Sequence, residues 1–132
     1  MPQKYFTVEE ANELIPRLEL IMARAQQHRV ALLEAITAAA RLAGVEAADV
    51  DVEALLESEP ALRDAVADLG RCLDEIGACG GQIKGLELGL IDFPALRGGE
   101  EVLLCWQFGE KEITHFHAAD EGFSGRKPLF PD

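Results

Sequence analysis

Glu101-Val-Leu-Leu-Cys-Trp-Gln-Phe-Gly-Glu-Lys-Glu-Ile-Thr-His-Phe-His117 is the stretch on which the fold of this chain turns. Val102, Leu104, Trp106 and Phe108 alternate with Leu103, Cys105 and Gln107, which is the period of an extended strand with two unlike faces. Gly109-Glu-Lys111 supplies a turn, and Glu112 to His117 is expected to return as the antiparallel partner. The Val/Leu/Trp/Phe face needs an apolar cover, which helices earlier in the chain can provide.

Upstream of the hairpin, Gln82-Ile-Lys84 and Leu90-Ile-Asp92 read as short strands about a turn at Gly85 to Gly89. Pro94 is expected to close the second of them, and Gly98-Gly99 to make the next turn. Downstream, the tail from Ala118, with Gly122, Gly125, Pro128 and Pro131, is expected to be irregular.

The first 80 residues follow a helical period instead. Thr7-Val-Glu-Glu10 is a capping box, with Phe6 placed to staple against the first turns and Glu9, Glu10 and Glu13 at the positive end of the helix dipole. Leu14, Leu18, Ile21, Ala25, His28, Leu32, Ala35 and Ala39 step by four and three, so one stripe runs from about Thr7 to about Ala43. Pro16 either kinks this helix or breaks it for one residue. Gly44 is the expected C-cap, and Asp51 caps a short piece to Ser58. Pro60 opens a second long helix striped by Leu62, Val66, Leu69, Leu73 and Ile76, expected to end before Gly77. Matching stripes and a short connection predict an antiparallel hairpin. The fold class is therefore α+β, one domain in which a helical hairpin (1–80) packs on a small, mostly antiparallel sheet (81–132).

Composition narrows the function classes. Hydrophobic residues at 48% with 27% charged residues make a globular chain rather than a disordered one. Twelve Lys and Arg against 24 Asp and Glu leave a net charge of -12, a surface that repels nucleic-acid phosphates and anionic lipid. The start Met1-Pro-Gln-Lys-Tyr-Phe-Thr7 lacks the apolar core of a signal peptide, and no apolar run reaches the ~20 residues of a membrane span. Cys72, Cys79 and Cys105 are odd in number without CxxC spacing, which suits reduced thiols. The sequence thus predicts a cytoplasmic protein with no nucleic-acid and no membrane partner.

Several blocks carry a family resemblance: Lys4-Tyr-Phe-Thr-Val-Glu-Glu-Ala-Asn12, Leu14-Ile-Pro16, Gly89-Leu-Ile-Asp-Phe-Pro94, Leu104-Cys-Trp106, Gly109-Glu110, Ile113 through His117 and Gly122-Phe-Ser-Gly-Arg-Lys-Pro128. On these the chain resembles bacterial domain-of-unknown-function family 2203 over nearly its whole length. His115 departs from the family pattern, where a Tyr or similar residue is commoner. The resemblance implies a cytoplasmic protein, and an accessory role in a larger assembly such as the peripheral arm of a respiratory NADH dehydrogenase.

Chemistry-bearing residues gather between Gly89 and Arg126, which hold the Trp, two of three His and four of six Phe. His115 and His117, two apart on a strand, share a face and can ligate a transition metal with Asp92, Asp120, Glu121 or Cys105 as a third ligand. The competing reading is a sheet face on which the rings satisfy local carbonyls. Asp92, His117 and Arg126, with Asp120, form a second candidate set for a small ligand or a partner carboxylate, Arg126 supplying a planar fork. Turn chemistry can equally account for Asp92 and the glycines, with Phe93 and Phe123 as core plugs. Cys105 beside Trp106 and Cys72 with Cys79 read as buried fillers, and His28 as a satisfied interhelical His. No catalytic residue set and no obligatory cofactor emerges. The leading expectation is a non-enzymatic contact module that associates with a protein partner or with itself through the long helix, whose length exceeds its own core.

Overall fold

The computed structural model describes residues 4–130. Met1 to Gln3 and Pro131, which enter the sequence reading above, lie outside the described residues. The order is α1 (Val8–Glu13), α2 (Ile15–Ala43), α3 (Val52–Ser58), α4 (Pro60–Ala78), then β1 (Gln82–Gly85), β2 (Leu90–Arg97), β3 (Glu100–Gln107), β4 (His115–Ala118) and β5 (Lys127–Pro128). The strands form one antiparallel sheet in sequence order.

Local signals set the helix ends. The Thr7 hydroxyl accepts from Glu10 N–H at 3.0 Å while the Glu10 carboxylate accepts from Thr7 N–H at 2.9 Å, a reciprocal cap. Leu14 is the single residue between α1 and α2, and Pro16 sits in the first turn of α2, where its missing N–H costs nothing. Gly44 caps α2 in the left-handed conformation at φ 69, and the Asp51 carboxylate accepts from Ala54 N–H.

The helices α2 and α4 run antiparallel. His28 meets Asp68 at 2.7 Å and Arg24 meets both Asp68 and Glu75, so rising numbers on one helix face falling numbers on the other. Leu18, Ile21, Met22 and Ala25 of α2 pack with Cys72 and Ile76 of α4 on the sheet face carrying Ile91, Phe93, Ala95, Val102, Leu104 and Trp106. The expected Val/Leu/Trp face is thus the one buried against the helices.

Five expectations are corrected. Leu73 is exposed at 39% while Cys72 is fully buried, so the α4 stripe steps by three from Leu69 rather than four. Gly77 lies inside α4, whose last turn carries on to Ala78. Pro94 does not close β2 but lies within it, opposite Leu103. Its carbonyl accepts from Phe6 N–H at 2.7 Å, so its main chain faces the edge that β1, paired only as far as Asp92, has left free. The absent N–H therefore breaks no ladder bond. The tail is not wholly irregular, since Lys127 and Pro128 pair with Phe116 and His115 as a fifth strand. The return strand is also shorter than expected, beginning at His115.

Phe6, just before the helical cap, is buried edge-on against Phe93 with ring centroids 5.1 Å apart, so the staple reaches the sheet. Gly80, at φ 93, lies directly on the Phe6 ring; a Cβ there would come within 2.5 Å of Phe6 Cζ. This close approach lets the chain pass from α4 into β1 over the aromatic pair.

Candidate functional site

Strand alternation gives the sheet a second face, turned away from the helices. Leu90, Asp92 and Pro94 of β2, Leu103 and Cys105 of β3, and His115 and His117 of β4 project there. Cross-strand register sets Asp92 beside Cys105 and Cys105 beside His115, while His117 pairs with Leu103 one step along. The His117 and Asp92 side chains nevertheless meet above β3, Nε2 lying 2.8 Å from Oδ2. Both are buried, at 2% and 1% exposure, and they are the buried polar pair of this face.

The second ring nitrogen of His117 is also engaged. Its Nδ1 lies 2.9 Å from the Ala118 carbonyl oxygen, which can only accept, so Nδ1 carries a proton and donates it. Nε2 is left directed at the carboxylate. Cys105 completes a group in which one ligand atom each from Asp92, Cys105 and His117 lie within 4.8 Å of one another. Burial, reinforced by the Asp92 carboxylate, pushes the Cys105 thiol up to about 12, so it is a neutral thiol at physiological pH. The other carboxylate oxygen, Asp92 Oδ1, is buried without a hydrogen-bond partner.

The segment after β4 covers this group. Glu121 accepts from Ala118 N–H at 3.0 Å, and that bond, aided by Lys127, holds its carboxyl below the usual carboxylate range. A single 3-10 turn at Phe123–Gly125 then brings Phe123 over the sheet. Between cover and sheet is a cleft of about 230 Å³ whose walls include Lys84, Leu90, Asp92, Cys105, His117 and Phe123. Phe123 is 39% exposed, so it roofs the cleft rather than plugging the core as Phe93 does.

Arg126 packs its guanidinium 4.8 Å over the Phe123 ring and donates to Glu110 Oε2 at 3.1 Å. Its Nε is buried without a partner. Glu110 is tied in turn to the hairpin: its Oε1 accepts from Gln107 N–H at 2.7 Å and its main-chain carbonyl accepts from Trp106 Nε1 at 3.0 Å. One turn residue thus braces the Trp, the end of β3 and the arginine that stacks on Phe123.

The structure brings together Asp92 and His117 directly, while Arg126 does not line the cleft and reaches it only through its stacking on Phe123. His115 shares their face but its Nδ1 is bonded to the Thr114 hydroxyl at 2.8 Å, and it is not among the three clustered ligands. Asp120 is exposed on the turn after β4 and makes no hydrogen bond or ion pair among the described residues. Sequence reasoning assigned no site role to Glu110 and treated Cys105 chiefly as filler. The position of Cys105 opposite Asp92 follows from the β2–β3 register, which the Gly98-Gly99 turn establishes.

No helix among the described residues is long and apolar enough to cross a membrane. No curated protein and no solved structure matches the chain. The family model described as "Uncharacterized conserved protein (DUF2203)" does match, over residues 4–129, and with the α+β fold in place the chain belongs to that family.

Proposed function

We propose that this protein is a non-enzymatic contact module that pairs with a second copy of itself through the outer face of α2. The observation that carries this reading is a self-complementary surface on the C-terminal half of that helix. Val30, Leu33, Glu34, Thr37, Ala38 and Arg41 line a shallow groove of about 370 Å³. Val30 is 47% exposed and Leu33 44%, an apolar pair on a groove that no residue of α3 or α4 lines.

Glu34 and Arg41 both line the groove, and among the described residues neither has an ion-pair partner in its own chain. A two-fold axis between Thr37 and Ala38 sets Glu34 of each copy opposite Arg41 of the other. The small residues at the crossing let the helices approach closely. An isologous pairing of this kind uses one patch twice, which matches a surface carrying both signs of charge about a small-residue centre. The accessory role that the family resemblance implies would add a different protein as a further partner.

Sedimentation equilibrium on the full chain at tens of micromolar tests the reading. A dimer is expected, with Arg41→Glu monomeric and Glu34→Arg with Arg41→Glu dimeric again, because the double swap restores opposite charges across the axis. A wild-type monomer throughout that range, or a dimer indifferent to Leu33→Glu and Arg41→Glu, overturns it.

A further inference from the structure

We propose that Asp92, Cys105 and His117 form a binding site for one divalent transition-metal ion of the zinc class, open to solvent through the cleft under Phe123. The site lies on the sheet face opposite the helices, so it stands or falls independently of pairing through α2.

The donor set is the first argument. A thiolate, an imidazole and a carboxylate are the three ligand types that a borderline-soft divalent ion takes, and three protein ligands leave a fourth position for water. Bond lengths of about 2.0 Å to N and O and about 2.3 Å to S put tetrahedral ligands roughly 3.3 to 3.6 Å apart. The three ligand atoms lie within 4.8 Å of one another, so side-chain adjustments on the order of 1 Å close the site. The Asp92 to His117 separation of 2.8 Å opens slightly as the ion enters.

The tautomer is the second. Donation from His117 Nδ1 to the Ala118 carbonyl leaves Nε2 aimed at Asp92 and Cys105, the outer-shell arrangement that orients a metal-binding histidine, and its lone pair becomes a ligand once the proton shared with Asp92 Oδ2 has left. The third is the buried Asp92 Oδ1, which has no partner although such an oxygen is costly to leave unsatisfied. A cation between the three side chains would be its counterpart.

Charge also balances. A divalent ion with one thiolate, one carboxylate and a neutral imidazole is formally neutral, which suits a site of this burial, and the neighbouring Arg126 and Glu110 already neutralise each other at 3.1 Å. Binding expels the Cys105 thiol proton and any proton held between Nε2 and Oδ2 to solvent, so uptake of the ion releases protons.

The test is titration of the untagged, chelator-treated full chain with Co(II), followed by displacement with Zn(II). Tight one-to-one binding with a near-ultraviolet thiolate-to-cobalt band is expected. Cys105→Ser should abolish the band, and Asp92→Asn or His117→Gln should weaken binding by more than the roughly 10- to 100-fold that loss of an outer-shell partner costs. Cys72→Ser and His115→Ala should leave both band and affinity within about twofold of wild type, since neither contributes a ligand. Circular dichroism confirms that each variant is folded. Folded wild type giving neither a cobalt spectrum nor a thermal shift with Zn(II) overturns the proposal, and so does binding lost in His115→Ala but retained in Cys105→Ser.

Discussion

His117 Nε2 and Asp92 Oδ2 are 2.8 Å apart although their strands are not neighbours, and both side chains are nearly without solvent contact. The pair ties β2 to β4 over the intervening β3. Removing one member leaves the other buried and unpaired, so Asp92→Ala or His117→Ala should cost about 3–5 kcal/mol of stability in urea denaturation. The double variant Asp92→Leu with His117→Leu should recover most of that loss, because no uncompensated polar group then remains.

Gly80 and Gly70 should respond oppositely to alanine. Gly80 has φ 93 and its Cβ would lie 2.5 Å from the Phe6 ring, so Gly80→Ala should destabilise by about 2 kcal/mol or more. Gly70 lies within α4 with nothing within 4 Å of a built Cβ, and Gly70→Ala should stabilise by about 0.5–1 kcal/mol. Urea midpoints of the two variants measured beside wild type check both signs.

Asp68 joins α2 to α4 by bonding Arg24, His28 and Arg71. The Arg24 guanidinium first, and His28 next, hold its carboxyl at about 2 against an ordinary 3.8. A folded value below the unfolded one means that the contribution is complete above the unfolded value and is lost as pH falls toward the folded one. The melting-temperature gap between wild type and Asp68→Asn should therefore be present at about pH 5 and close by about pH 2, and should shrink in high salt.

The three thiols should differ in reactivity. Cys105 is buried with its thiol pushed up to about 12, and Cys72 is buried with burial raising it as well. Cys79 caps α4 and is half-buried, so it was only partly the core filler that its spacing suggested. Alkylation of the native protein followed by peptide mass analysis should label Cys79 first, with Cys72 and Cys105 labelled only on unfolding.

Much of the fold was legible because its causes are local. The Thr7 box, Pro60 and Gly44 each act within one turn of chain, and each sits where its chemistry requires. The Leu73 error came from a period that does not distinguish a step of three from a step of four after Leu69, until the partner helix buries Cys72 instead. Pro94 misled because a missing N–H ends a strand only if a neighbour needed it, and the neighbour there is the Phe6 segment, which donates to the proline carbonyl. Spacing likewise placed His115 and His117 on one face but could not say which side chain each would meet.

By itself the sequence determined the helical hairpin, the strand alternation around Trp106, the acidic surface and the family, since these depend on residue type and on neighbours within a few positions. Tertiary structure alone decided that Asp92, Cys105 and His117 converge beneath Phe123, that Glu110 braces Arg126 beside them, and that the outer strip of α2 is left uncovered. Those outcomes depend on β-strand register and on where the tail at Phe123, 31 residues after Asp92, returns to the sheet, relations set by packing over distances that no local period encodes.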